Sequence, residues 1–404
     1  MKLVLECRQC GGPIELAETD HLVTCAYCNV STFLVGSDYF RLTLPVRPQF
    51  SEVLQVPYLH FRGCFYSCTP GGVSARIGNH SLPGVELPFL PPNLSVRTQV
   101  MPMRFAVPAD ANFLTNHLTT AGIIERIGRK IAPVGGNVYH QALIGESVQL
   151  VYLPIARRGQ QFFDAVAGTP LLGPAVEEDT LGALQETEPA WQLHQLATIC
   201  PGCGWNLEGP RDSNVLYCRN CLSAWWFRDG RLVPLPFGMV RSRSQNVLYL
   251  PFWQLEVGGS PLPLASFADL IRLTNQPRVI QTDWEHWPLR FWVPAFKIRP
   301  DLYLKLAARL TLAQPAFDQR EELPVGELPA VTLPQGEAIQ SLVPILAYLT
   351  INRREVFPRL PELAFAIRDI RLFLLPFLTT GYELQQEQTG VLVNRQALGF
   401  GRAL

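Results

Sequence analysis

The spacing C-x2-C-x14-C-x2-C occurs twice in this chain, at Cys7, Cys10, Cys25 and Cys28 and again at Cys200, Cys203, Cys218 and Cys221. No other feature of the sequence restricts folding so strongly. A Cys-x-x-Cys pair on a tight turn points both sulfurs to one side, and two such knuckles brought together make a tetrahedral thiolate site for a metal. In "CRQCGG" and "CPGCG" the glycines stand where a knuckle needs a residue tolerant of positive φ. Between the pairs, "PIELAETDHLVTC" and "WNLEGPRDSNVLYC" each read as strand, polar turn, strand.

Segments 7–28 and 200–221 therefore resemble two zinc ribbons. The likeness extends to the strand motif "YLPFW" (249–253), which is similar to bacterial zinc-ribbon proteins whose ribbon precedes Tyr-x-Pro-Phe-Trp strands. The resemblance implies two structural Zn2+ sites, because four thiolates leave no open position for catalysis. Iron in a rubredoxin-like site is the alternative, since tetrahedral all-sulfur sites take either metal, although rubredoxins separate their pairs by a longer stretch. Disulfides are disfavoured in the reducing compartment expected for the chain. A structural zinc contributes on the order of 10–16 kcal/mol of apparent binding energy, enough to fold a ribbon with almost no core. Cys64 and Cys68, in "FRGCFYSCTPGG", have no counterpart in the second half and are expected to be small buried hydrophobes rather than half of a third site.

Each ribbon cysteine recurs 193 positions later, as from Cys7 to Cys200, and further matches follow in the same order. "PYLHFRG" (57–63) resembles "LYLPFWQL" (248–255), and "MRFAVPAD" (103–110) resembles "LRFWVPAF" (289–296). "VQLVYLPIARRGQQFFDAVAGTPL" (148–171) resembles "IRLFLLPFLTTGYELQQEQTGVLV" (370–393). Self-similarity of this kind predicts a tandem duplication. The expected fold is β-rich α+β, a pseudo-twofold repeat of a zinc ribbon followed by a β-rich domain. Its parts are ribbon 1 (1–40), domain 1 (41–175), an acidic linker (176–193), ribbon 2 (194–236) and domain 2 (237–404), the last with a proline-rich loop insert at 312–337.

Prolines in the YLPF-like segments place these at sheet edges or strand starts, because proline lacks the donor a central ladder needs. "ARRG" and "LTTG" should each close a hairpin. Helices are expected at 110–128, 266–274, 300–313 and 336–350. Trp225, Trp226 and Phe227, leaving the second ribbon, are expected to pin it to the adjoining domain, and "STFLVGSDYF" (31–40) to do so in the first half.

Lys+Arg and Asp+Glu both number 34, so the chain lacks the basic excess with which nucleic-acid binders neutralise phosphate. No phosphate-binding loop, His-Glu-x-x-His or nucleophile elbow is present. Asp283, Glu285 and His286, set among tryptophans in "QTDWEHWPLRFW" (281–292), are the one ligand-site candidate; alternation along a strand would instead turn the charges outward and the tryptophans inward. "RSRS" (241–244) and "NRREVFPR" (352–359) are short basic clusters expected on loops. "MKLVLE" is not a signal-peptide core, and no run reaches the ~18 apolar residues of a membrane span; a cytoplasmic location is expected. Only 17% of residues are charged, against about a quarter in typical domains, which suits surfaces covered by a partner. The sequence thus points to a non-enzymatic zinc-binding scaffold or adaptor that meets other protein subunits. The alternatives are a nucleic-acid-binding ribbon protein and an iron-ribbon electron carrier or accessory subunit.

Overall fold

A computed structural model of the chain describes residues 2–36, 40–108, 112–119, 122, 125–127, 137–174, 176, 178–186, 191–228, 230–258, 262–316 and 319–399. The chain forms two compact units. One comprises Met1–Arg62, Gly78–Arg126 and Glu146–Thr198, the other Gly63–Ile77, Ile127–Gly145 and Ile199–Leu404.

The first unit opens with two antiparallel hairpins, β1 (Lys2–Glu6) with β2 (Pro13–Ala17) and β3 (Leu22–Thr24) with β4 (Ser31–Gly36). Along β2, Ile14 and Leu16 are buried while Pro13, Glu15 and Ala17 are exposed, the period-two pattern of a strand with one wet face. There follow β5 (Phe40–Thr43), β6 (Leu54–Thr69), β7 (Gly72–Pro83), β8 (Met103–Phe105), β9 (Asn112–Phe113), β10 (His140–Arg158), β11 (Gln161–Asp164), β12 (Thr169–Pro170) and β13 (Leu193–Ala197). Among the described residues a ten-stranded sheet runs β12-β11-β10-β5-β8-β1-β2, with β6 paired to β10, β7 and β9. β13 joins the second hairpin as β13-β4-β3. The core of this unit gathers Leu3, Leu16, Leu34, Leu42, Val151 and Leu153 with Cys7 and Cys25.

In the second unit β14 (Val215–Cys218), β15 (Ser223–Arg228) and β16 (Arg231–Leu235) make one sheet. A larger one is built from β17 (Phe237–Val240), β18 (Val247–Val257), β19 (Leu289–Pro294), β20 (Gln319–Arg320), β21 (Ile367–Thr380), β22 (Glu383–Gln386) and β23 (Leu392–Asn394). Its order is β19-β18-β21-β17-β20, with β22 between β21 and β23. Trp253 and Trp292 are fully buried there; Phe252 stacks on Phe377 at 6.0 Å, and Trp292 meets Phe373 edge-on at 5.0 Å.

The hairpins predicted at "ARRG" and "LTTG" are present, Arg158 opposite Gln161 and Thr380 opposite Glu383, with Gly159 and Gly381 at φ +62° and +61°. Their surroundings share one register. β5 runs parallel to β10 with Thr43 opposite Tyr152, and β17 runs parallel to β21 with Met239 opposite Leu374. The β10–β11 ladder starts at the pair Ile155–Asp164, and the β21–β22 ladder at Phe377–Gln386. After each hairpin a buried polar side chain organises the turn. Asp164 Oδ1 accepts from the backbone N–H of Val166 and Ala167, and Gln386 Oε1 from those of Gln388 and Thr389.

Several expectations are corrected. Pro154, Pro251 and Pro376 lie inside long strands, not at edges or starts. Pro154 falls where β10 has left β5 at Tyr152 and not yet met β11 at Ile155; Pro376 sits in the same gap between β17 and β22. A missing N–H costs little when it faces such a gap, even though Pro376 is paired with Tyr249 of β18 on the strand's other side. The expected equivalence of Arg104–Pro108 with Arg290–Pro294 is not found: β8 pairs with β1 and β5, whereas β19 pairs with β18. The helix expected at 110–128 is replaced at its start by β9, which pairs with β6 and buries Phe113 against Tyr152 and Trp191; toward its end residues 122 and 125–127 are helical, and the rest of 120–128 lies outside the described residues. The strand expected from Gln281 is a 3-10 turn at Thr282–Glu285, and β19 starts only at Leu289.

The other three helices are present. Phe267–Thr274 carries a Ser266–Asp269 capping box, Pro300–Ala313 begins with its proline, and the third divides into Gln335–Gln340 and Leu342–Leu349 at Ser341. Residues 312–337 are mostly irregular, but Gln319–Arg320 pairs with β17. Among the described residues no helix is long and apolar enough to cross a membrane.

Candidate metal centres

Each Cys-x-x-Cys pair occupies a tight turn of its own. Cys7–Cys10 turns between β1 and β2, and Cys25–Cys28 between β3 and β4; Cys218–Cys221 turns between β14 and β15. Cys200–Cys203 is closed by an isolated bridge from Ile199 to Asn206. The turns follow one plan. The N–H four residues after the first cysteine of a pair returns to that cysteine's carbonyl: Gly11 to Cys7 at 2.8 Å, Asn29 to Cys25 at 2.9 Å, Gly204 to Cys200 at 2.9 Å. The residue at this position takes positive φ, +73° at Gly11 and +75° at Gly204 as the sequence suggested, but also +57° at Asn29 and +54° at Leu222. Asparagine tolerates that region and leucine is strained in it, so only two of the four turns announce themselves by glycine.

In this way Cys7, Cys10, Cys25 and Cys28 converge, and so do Cys200, Cys203, Cys218 and Cys221; within each set every Sγ lies within 4.8 Å of the others. The closest pairs are Cys7–Cys28 at 3.7 Å and Cys10–Cys25 at 3.6 Å, and Cys200–Cys221 at 3.6 Å and Cys203–Cys218 at 3.4 Å. A tetrahedral ion with metal–sulfur bonds of about 2.3 Å has sulfur–sulfur edges of about 3.8 Å, so both clusters fit such an ion with little adjustment. Two cysteines of each cluster are buried and at least one is exposed, which leaves each centre at the surface with its inner half in the protein.

The electrostatics favour a cation. Backbone N–H groups of Cys28 and Tyr27 hold the Cys25 thiol down to about 6, and the Asn220 side chain with the Trp205 N–H does the same for Cys203. Cys10, although the Gly12 N–H favours its thiolate, is pushed up to about 12 by burial and by its sulfur neighbours, and Cys218 to about 12 by burial and Cys203. Four sulfurs this close cannot all ionise unaided; a divalent ion supplies the missing charge.

The other candidates do not join these centres. Cys64 and Cys68 are buried, and burial raises their thiols to about 11 and about 12. Among the described residues they belong to no cluster of potential metal ligands. Glu285 pairs with Arg272, which also meets Asp269, while Trp284 and Trp287 pack on Phe267. Glu285 of "QTDWEHW" thus braces a helix, and the tryptophans cover it; among the described residues Asp283 and His286 join no metal-ligand cluster. Trp225 is buried in β15 and Trp226 packs on the core of the second unit, with Arg228 over its ring.

Comparison with protein-family models, with curated proteins and with solved structures yields no match for this chain.

Proposed function

We propose that the chain is a non-enzymatic, zinc-binding scaffold or adaptor subunit of a multiprotein assembly in the cytoplasm. The observation that carries the reading is the pair of closed four-cysteine clusters. With all four coordination positions taken by protein sulfur, a bound ion shapes the chain and has no free position for a substrate. Zinc suits the role because it holds thiolates without redox chemistry, and its sites persist where the compartment keeps cysteines reduced.

The assembly part of the reading draws on what surrounds the knuckles. Tyr27 (68% exposed) and Val30 flank the N-terminal centre, and Ile199, Trp205 (57% exposed) and Leu222 flank the other. Large aromatic side chains left in water beside a rigid turn suit anchoring in a partner's pocket. We further propose that the halves arose by tandem duplication; the shared register around β10–β11 and β21–β22 supports it. The experiment is affinity capture of the zinc-loaded chain from native extract with sizing of the product. A reproducible set of protein partners is expected; a monodisperse monomer with none would contradict the proposal.

A further inference from the structure

The two clusters share spacing and turn geometry, but the residues around their second knuckles differ in kind. "CAYCNV" (25–30) aligns with "CRNCLS" (218–223), so Ala26 stands where the C-terminal site has Arg219, Tyr27 where it has Asn220, and Val30 where it has Ser223. Each exchange replaces a group without a donor aimed at the cluster by one that donates.

The Asn220 side chain favours the thiolate of Cys203. Ser223 Oγ lies 3.0 Å from Cys221 Sγ and 3.9 Å from Cys200 Sγ, and it accepts from Trp225 Nε1 at 2.7 Å. Once the sulfurs are metal-bound thiolates they carry no proton, so the hydroxyl donates to sulfur while the indole fixes its orientation. Arg219 anchors the knuckle itself: it pairs with Glu208 at 3.0 Å and donates to the carbonyls of Pro324 and Gly326. In the N-terminal cluster the Val30 side chain has no donor, Ala26 has only a methyl group with which to anchor the turn, and the Tyr27 ring lies over Gly12 so closely that a Cβ there would have no room. Among the described residues backbone N–H groups, such as that of Tyr27 to Cys25 Sγ at 3.4 Å, are the donors that stabilise its sulfurs.

Hydrogen bonds to a bound thiolate withdraw electron density from sulfur. They lower its reactivity toward protons and electrophiles and orient it toward the metal. From this asymmetry we infer that the N-terminal centre is the exchangeable one, giving up its ion and exposing its thiolates when metal is scarce, and that the C-terminal centre is permanent. The inference rests on the proposal that both clusters bind zinc. Exposure alone argues the opposite order, because Cys221 is exposed whereas Cys28 is only half-exposed. The two explanations therefore predict different results.

The test uses the full-length, zinc-loaded chain with an excess of the chelating dye 4-(2-pyridylazo)resorcinol and a trace of iodoacetamide, followed by mapping of alkylated cysteines by peptide mass spectrometry. Two equivalents should leave in two phases roughly 10–100-fold apart, the range for loss of such outer partners. Cys7, Cys10, Cys25 and Cys28 should be alkylated in the first phase. Grafting donors into the N-terminal site with Tyr27→Asn and Val30→Ser should slow that phase, and Asn220→Leu with Ser223→Val should hasten the second. Should one graft fail to fold, the other still decides. Release of the C-terminal ion first, or both together, or in an order that neither graft alters, overturns the inference while leaving two zinc sites intact. Fewer than two equivalents in the loaded protein overturns the zinc reading itself.

Discussion

Cys25 lies at the meeting point of local and cluster forces. It is buried, accepts two backbone N–H bonds and sits 3.6 Å from Cys10 Sγ. Cys25→Ser removes a thiolate that hydroxyl cannot replace, so elemental analysis should find about one zinc fewer, with the C-terminal ion retained; loss of both ions would show that the centres do not form independently. His60 offers a second prediction. It is buried on β6 with Nδ1 lacking a hydrogen-bond partner, and burial pushes its imidazole down to about 4. A histidine held neutral in the fold but free to protonate when unfolded contributes fully above the unfolded value near 6.5. That contribution is lost as pH falls toward 4 and amounts to about 3 kcal/mol at most. In urea melts between pH 7 and 4, His60→Phe should lose less stability on acidification than the parent chain; equal slopes would remove His60 from the acid response. The cysteines were legible in the sequence because metal ligation demands type and spacing together. His60, Asn220 and Ser223 were not, because nothing in a one-dimensional pattern tells which way a polar side chain will face.

Prolines show how an element can be read correctly in its chemistry and wrongly in its place. Pro154 and Pro376 do mark a gap between successive neighbours on one side of the strand, although Pro376 is paired with Tyr249 of β18 on the other, and each gap lies within a long strand that changes neighbours, not at an edge. The sequence shows the missing donor and cannot show who stands opposite. The start of the segment from 110 failed for a related reason: Leu114 and Leu118 stand at helical spacing, yet the aromatic contacts of Phe113 with Tyr152 and Trp191 and its pairing with β6 decide for a strand. Tertiary packing overrides propensity in so short a stretch. The helix Phe267–Thr274 carries its own start signal, and the reciprocal Ser266–Asp269 bonds form its cap. Ser266→Ala should cost about 1 kcal/mol, seen as a lower urea midpoint with zinc content unchanged. A shift in metal content would mean the cap also supports a metal centre.

The long strands β10 and β21 organise the two units by the same local rules: a parallel neighbour, a proline in the gap, a two-residue turn and a buried polar hub in the loop that follows. Packing on this frame should be sensitive to truncation. Phe252, fully buried and stacked on Phe377, should cost about 3–5 kcal/mol as alanine, measured by denaturant unfolding. A change below ~1 kcal/mol would mean the ring is not part of a close-packed core. The β-rich character and both cysteine clusters could be read before any coordinates, whereas β6, β7 and β10, each giving residues to both units, could not: sequence order tells nothing of where a sixteen-residue strand will leave one core for another. The central claim is that both clusters hold a structural zinc, and elemental analysis of the purified full-length chain, with its absorption spectrum, tests it most directly. The account predicts close to two zinc ions per chain and a colourless protein. One ion or none, or the colour of an iron–thiolate centre, would contradict it.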